Sequence, residues 1–497
     1  MKHNIQFQIK RLAAVPTILA LTAVLALSAV ALRTSLAAGT TVRIESGNTV
    51  TEDTEINGVE VFPVGAPTST PTRTNTPAGP TNTPTVTLPA TETSTPGGNV
   101  FPLKVSSNRR YLVQSDGVTP FFVLADTSWS LPYFASDADV QTYLDDRKAK
   151  GFTTIMMNAS GWGPGVTNTS GQTPFFKNDV TQPNDAYFAH VDWVVNQAAA
   201  RGLWVLICPA WMTDYSFNGS YLTASNATAL GQYLGNRYKN FTNLDWFTGG
   251  DKLPSEIDTN IPRNLAAGIL QYDPTALISY HNGGDSAYQS ESWYSFNMLE
   301  TYNTGDTRAY TRVTDDYNLS PTKPIINSEP NYENEHNTTP YYVRQALGWN
   351  MFSGAFGMAY GAATVWNCDS GFTNNLSLPG TLHASYMGSA VGSRAWYLLV
   401  PDQGHNMITS GYGTYGGSDH VTAERASDGS FGMAYLPSAR SITINMAQFN
   451  SSKTIKWFDP ANNTYTTVGT YANSDSQNLG SRPANSAGRY DWILIIE

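Results

Sequence analysis

PIINSEPNYEN, residues 324–334, decides the architecture. Ile325 and Ile326 are β-branched and apolar, as a parallel strand buried on both faces requires. The chain turns polar at Asn327 and Ser328, and Glu329 is held extended by the Pro330 that follows it. A carboxylate at the C-terminal mouth of a parallel strand is where an α/β barrel keeps its reacting groups. LDWFTGGD, residues 244–251, repeats the pattern: an apolar run, two glycines and an aspartate. Asp251 and Glu329 are therefore expected to form a catalytic pair that a barrel brings together.

Working outward, strand-like and helix-like stretches alternate from about residue 99, which argues for a parallel sheet. Strands are expected at 121–125, 153–157, 204–208, 244–247, 277–280, 296–299, 324–326 and 356–360. Several end on a polar residue: Asp126, His281, Glu300. Ser136 and Asp139 form a capping pattern before a helix carrying Val140 and Leu144, which stops at Gly151. Tyr187, Val191, Val194, Val195 and Ala198 recur at helical spacing. Further helices are expected at 226–238, 264–272, 339–352 and 384–399, with proline in the first turn at Pro340. Eight strand–helix repeats predict a (β/α)8 TIM barrel over 99–400. A doubly wound sheet would need a glycine-rich turn after its first strand, and ADTSWSLP has no glycine there. After Pro401 the segments become short and apolar or alternating, as at 442–446, 455–458 and 492–496. This predicts a C-terminal antiparallel β-sandwich over 401–497.

Residues 1–38 read as an export segment. Lys2, Lys10 and Arg11 precede an apolar run, 12–32, and Ser35-Leu36-Ala37 fits a small-residue cleavage site. An uncleaved run of that length would instead anchor the chain in a membrane. Residues 39–66 are short and polar, and Asn57-Gly58 suits a hairpin turn. Residues 67–98 are Thr/Pro-rich and unable to bury a core, so they read as a linker. Stretched as polyproline it would span on the order of 100 Å.

The net charge of −10, with 14% charged residues, offers no basic face for nucleic acid. Twelve tryptophans and 27 tyrosines suit stacking on sugar rings as well as core packing. Cys208 and Cys368 are the only cysteines; they either pair after export or stay separate as buried thiols. No Cys/His set has zinc spacing, so no metal or other cofactor is expected.

Six stretches in order resemble the apiosidase-like glycoside hydrolases, whose barrel is followed by a domain labelled collagen-binding. They are PFFVLADTSW (120–129), YLDDRKAKGFTTI (143–155), FTGGD (247–251), ISYHNGG (278–284), NSEPNYE (327–333) and LLVPDQ (398–403). The resemblance implies an aspartate after strand four as acid/base and a glutamate after strand seven as nucleophile, matching Asp251 and Glu329. It also implies apiose linkages of the pectin rhamnogalacturonan II as the substrate class. Where the family often shows His-Pro after strand five, this chain has His281-Asn282.

Hydrolysis of a glycosidic bond needs one protonated and one ionised carboxyl flanking the anomeric carbon. Gly249 and Gly250 are expected to leave room for a sugar ring beside Asp251. Rings such as Trp246 or Trp366 would raise its pKa. Asp126 and Trp129 close strand one, and Asp126 either binds a sugar hydroxyl or caps a loop. His281 either binds a hydroxyl, orients Glu329 or is a solvated loop residue. Glu300 is the main competitor for a catalytic role. Trp162, Trp211, Tyr332 and Trp366 are candidate stacking platforms or core residues. Three functions follow: a secreted retaining glycosidase on apiose-type linkages, the same chemistry on another pentofuranoside such as arabinofuranose, or a non-catalytic binder of polysaccharide or collagen. The two carboxylates favour an enzyme acting on an oligo- or polysaccharide.

Overall fold

The computed structural model describes residues 99–497 apart from 214–216, 218, 283–285 and 304, together with two short strands, Thr40–Val42 and Val61–Pro63. Those two strands pair antiparallel, Thr40 opposite Pro63. The export segment 1–38, the Asn57-Gly58 turn and the linker 67–98 lie outside the described residues. No helix among the described residues is long and apolar enough to cross a membrane.

Eight parallel strands form the barrel: β1 (Val123–Thr127), β2 (Thr154–Asn158), β3 (Trp204–Cys208), β4 (Leu244–Gly249), β5 (Ile278–His281), β6 (Asn297–Thr301), β7 (Ile325–Pro330) and β8 (Gly357–Tyr360). The first five pair in sequence, β6 pairs with β7, and β8 returns to β1 with Gly357 opposite Val123. Backbone bonds also cross the two remaining seams: Ser295 to the Ile278 carbonyl at 2.8 Å, Phe356 to the Ile325 carbonyl at 2.9 Å and, just past the ends of β7 and β8, Glu333 to the Gly361 carbonyl at 2.9 Å. Every residue of β1 to β5 is buried, which is why these strands read as continuous apolar runs rather than alternating ones. A closed parallel barrel places all strand C-termini at one mouth.

Among the described residues seven helices of ten residues or more cover it: α1 (Asp137–Ala149), α2 (Asp185–Ala200), α3 (Ala227–Tyr238), α4 (Asn260–Leu270), α5 (Arg308–Tyr317), α6 (Pro340–Met351) and α7 (Pro379–Gly392). Ser136 caps α1 as its spacing predicts, accepting from the Asp139 amide at 3.2 Å. The repeat is incomplete after β5, where the described residues hold a single 3-10 turn, Ser286–Tyr288, and no α-helix. The α5 helix was not read from the sequence. Its buried apolar residues are Ala309, Tyr310 and Val313, set among charged and polar neighbours. The closing helix stops at Gly392, short of the expected 399; a 3-10 turn, Trp396–Leu398, follows.

The C-terminal part is a sandwich of two antiparallel sheets. Its strands are β9 (Leu399–Pro401), β10 (Ile408–Ser410), β11 (Thr422–Ala426), β12 (Gly432–Leu436), β13 (Ile442–Asn445), β14 (Lys453–Asp459), β15 (Thr464–Tyr471), β16 (Ser476–Leu479) and β17 (Trp492–Ile496). The sheet orders are β9-β11-β12-β17-β14-β15 and β10-β13-β16. WILII in β17 is apolar throughout because both faces are covered. Trp492, Leu494 and Ile496 enter the sandwich core, while Ile493 and Ile495 join the barrel core. In β12, Met433 and Tyr435 face the barrel, and Ala434 and Leu436 the sandwich. An ion pair crosses this junction: Arg344 of α6 grips Asp491 at 2.6 and 2.8 Å, both side chains out of solvent. Cys208 and Cys368 are both free, buried thiols.

Candidate active site

The barrel mouth encloses a cavity of about 530 Å³. Asp251, Glu300 and Glu329 reach it from the ends of β4, β6 and β7, and Trp162, Trp211 and Trp366 are among its walls. Trp129 and Tyr332 extend the aromatic lining, and Trp129 Nε1 donates to the Tyr332 hydroxyl at 2.8 Å. The rings form a continuous wall. Trp366 meets Trp162 edge-on at 5.7 Å, Trp162 meets Trp211 at 5.4 Å, and Trp211 meets Trp129 at 4.8 Å. Flat rings and a few carboxylates are what a sugar needs, because its C–H faces stack while its hydroxyls hydrogen-bond.

Glu329 is 7% exposed and is fixed from behind. His281 Nε2 lies 2.6 Å from its Oε2, and His281 Nδ1 lies 3.3 Å from the Ser328 hydroxyl. That hydroxyl donates to the Leu299 carbonyl at 3.1 Å, leaving its lone pair to accept from Nδ1–H. Burial works against a charge on the imidazole. The hydrogen bond to Glu329 and the negative charges of Glu329, Glu300 and Asp251 outweigh it and raise the His281 pKa. His281 is thus buried behind the carboxylate, in an orienting position rather than a solvated loop.

Asp251 is placed by its glycines. A Cβ on Gly249 would lie 2.9 Å from the His281 carbonyl, and one on Gly250 would lie 2.6 Å from the Met212 carbonyl. Their φ angles are +93° and +153°. The two glycines therefore let backbone approach backbone; they do not clear space for a sugar as expected from the sequence. The approach sets Trp211 beside Asp251, with Nε1 donating to Oδ1 at 3.2 Å. The Asp251 carboxyl stays solvent-accessible within the cleft, yet the surrounding protein strips much of its hydration. That desolvation, then the charge of Glu329, raises its pKa to about 6, against the opposing effects of His281 and Trp211. Trp246 takes no part: it is buried on the outer side of β4, 5.6 Å from Tyr238.

Glu300 owes its position to a bulge. Leu299 pairs with Asn327 but Glu300 pairs with Glu329, so Ser328 is an extra residue and the two glutamates lie side by side. Burial and the charge of Glu329 raise the Glu300 pKa to about 7. His281, Glu300 and Glu329 each offer a ligating atom within 4.8 Å of the others. The 2.6 Å hydrogen bond between His281 and Glu329 leaves no room for a cation between them, so the trio fits proton chemistry better than a metal.

Asp126 corrects the sequence reading. It is fully buried, bound by Arg147 Nε at 2.6 Å and the Tyr143 hydroxyl at 2.5 Å, both from α1. It ties α1 to β1 and has no path to a sugar. Three lining residues were missed: Thr213, Tyr302 and Asn367. Thr213, Tyr302 and Asn367 each stand within two residues of Trp211, Glu300 or Trp366, and that proximity is the signal the sequence offered. Asn282 takes φ +60°, which a proline cannot adopt, so the His281-Asn282 turn differs in backbone from a His-Pro one. Its side-chain amide donates to the Asp251 carbonyl at 3.3 Å.

Residues 106–398 match the family model described as "Apiosidase-like, catalytic domain", more than half of the chain. Residues 400–497 match that of the "Putative collagen-binding domain of a collagenase". Solved structures share the fold, two of them as follows. A glycoside hydrolase family 5 protein from Bacteroides vulgatus is 24% identical with a TM-score of 0.71, covering 79% of this chain and 93% of its own. A structure titled glycoside hydrolase is 24% identical with a TM-score of 0.70, covering 79% and 96%. No curated protein matches the chain.

Proposed function

The chain belongs to the apiosidase-like family of glycoside hydrolases, and on that premise we propose that it is a secreted retaining enzyme cleaving apiose-type linkages in pectin. The observation that carries the reading is the pairing of two carboxyls at one aromatic cavity in opposite conditions. Glu329 is pinned from behind by the buried imidazole of His281, 2.6 Å from its Oε2. Asp251 is desolvated enough to keep its proton to about pH 6.

In the proposed first step a Glu329 oxygen attacks the anomeric carbon while the bond to the leaving oxygen breaks. Asp251 delivers its proton to that oxygen. In the second step Asp251 takes a proton from water, the water oxygen attacks the anomeric carbon, and the bond to Glu329 breaks. The tryptophan wall stacks on the sugar. Secretion follows from the basic, apolar and small-residue sequence of residues 1–38.

The test is incubation with pectic fragments and a set of aryl apiosides, arabinofuranosides and hexosides, followed by sugar analysis and the anomeric configuration of the first product. Release of apiose with retained configuration supports the reading. Release of another sugar overturns the substrate, and an inverted product overturns the mechanism.

A further inference from the structure

A second cavity, of about 250 Å³, lies where the barrel meets the sandwich. That is the scale of one sugar ring rather than a larger ligand. It shares no residue with the catalytic cavity. Its barrel side is made by Thr314 near the end of α5 and by Phe352 and Ser353 just after α6. Those helices run back along the barrel, so their C-terminal ends lie at the N-terminal end of the strands, opposite the catalytic mouth.

The sandwich side is an aromatic box. His405 and Tyr412 stack face to face with ring centroids 3.7 Å apart and planes 5° from parallel. Tyr415 stands edge-on to His420 at 5.4 Å, and His420 stacks on Tyr310 of α5 at 4.9 Å. The box is built rather than incidental. The Asp402 carboxylate accepts from the amides of Asn406, Met407 and Ile408 at 2.7–3.0 Å, fixing the turn that carries His405. The Tyr310 hydroxyl donates to the Gly417 carbonyl at 2.9 Å and pins the loop that carries Tyr412, Tyr415 and His420.

One polar group in this box is unsatisfied. His420 is 6% exposed and lines the cavity, yet its Nδ1 has no hydrogen-bond partner. A buried polar atom without a partner costs on the order of 1–3 kcal/mol, which a ligand hydroxyl would recover. Tyr415 is 55% exposed at the rim, an open aromatic face. Aromatic walls enclosing a single-ring volume, with polar side chains such as Ser353, Gln403 and His420 among them, match a sugar better than a peptide, which would need a groove with backbone partners.

We propose that this junction cavity is a second, non-catalytic carbohydrate-binding site, which holds one sugar unit of a polysaccharide at the far end of the barrel from the catalytic mouth. It anchors the enzyme to its polymer or to a neighbouring chain, and it needs the sandwich docked in place to exist.

The test is native gel electrophoresis of the full chain carrying Glu329→Gln, through gels containing soluble pectin, arabinan, xyloglucan or gelatin. At least one polysaccharide should retard the protein. Tyr412→Ala should weaken that retardation about tenfold in apparent Kd, the loss of one stacking face. Tyr415→Ala, at the exposed rim, should weaken it in the same direction and guards against misfolding of the first variant. A matching thermal melt shows that each variant is folded. Neither should change aryl glycoside turnover when placed in the wild-type chain. Retardation that both variants leave unaltered, retardation by gelatin alone, or no retardation by any polysaccharide overturns the proposal.

Discussion

His281 Nε2 sits 2.6 Å from Glu329 Oε2, and the imidazole itself is wholly buried. The histidine never meets the cavity; it acts through the carboxylate. Its removal should therefore lower kcat more than it raises KM. His281→Ala is expected to cost about 10- to 100-fold in kcat, within the range for groups that hold a reacting side chain in position. Steady-state kinetics with one aryl glycoside checks this. A change confined to KM would place His281 on the substrate instead.

The pH profile separates the two candidate acids. A general acid works protonated, so kcat/KM on a substrate with a poor leaving group should fall as pH rises past about 6, the Asp251 value. Asp251→Asn should remove that limb along with most of the activity. Glu300→Gln should keep the limb, at or somewhat below pH 6, because the two carboxylates repel one another and removing one leaves Asp251 no harder to ionise. If Glu300→Gln abolishes the limb instead, the group near pH 7 is the acid.

The strand ends were legible because parallel barrels impose them: an apolar run with a polar final residue marks the mouth, as at Asp251 and Glu329. The same pattern misled at Asp126. Its fate is decided by Arg147 and Tyr143, one strand-to-helix connection away on the inner face of α1. A long-range ion pair leaves no mark on a local pattern. Glu300 was legible as a strand end, but its place beside Glu329 depends on one extra residue, Ser328, in the facing strand. The glycines before Asp251 were legible as special and misread in purpose, since the backbone they accommodate belongs to Met212 and His281. In β17 the unbroken apolar run was legible as buried, but not that its alternate residues belong to two different cores.

Asp126→Ala should act on stability and leave substrate binding alone. It takes away the Nε partner of buried Arg147 and leaves the cation only the Asp146 carboxylate, 2.6 Å from Nη1, at a cost of about 1–3 kcal/mol. Urea unfolding should show the loss, while the KM of the protein that remains folded stays at the wild-type value. Trp366→Ala is the contrasting control, with KM raised and stability little changed.

The barrel and sandwich should unfold together. Asp491→Ala leaves Arg344 buried at the junction without its carboxylate, with only the His383 ring nitrogen beside it, at about 3–5 kcal/mol. Cutting the chain after Val400 bares the apolar face covered by Met433, Tyr435, Ile493 and Ile495 and should give insoluble protein. A single calorimetric transition in the wild type that shifts as a whole in Asp491→Ala supports this. A soluble, fully active truncation contradicts it.

The central claim is that Glu329 attacks and Asp251 assists. Azide rescue of Asp251→Ala on an aryl glycoside with a good leaving group tests it most directly. With the acid/base gone, the first step still forms the Glu329 adduct, and azide enters the vacated space to release it. Azide should speed turnover and yield a glycosyl azide with the configuration of the substrate, and Glu329→Gln should show no turnover with or without azide. A glycosyl azide of inverted configuration from Asp251→Ala would contradict the assignment, because it would make Asp251 the nucleophile.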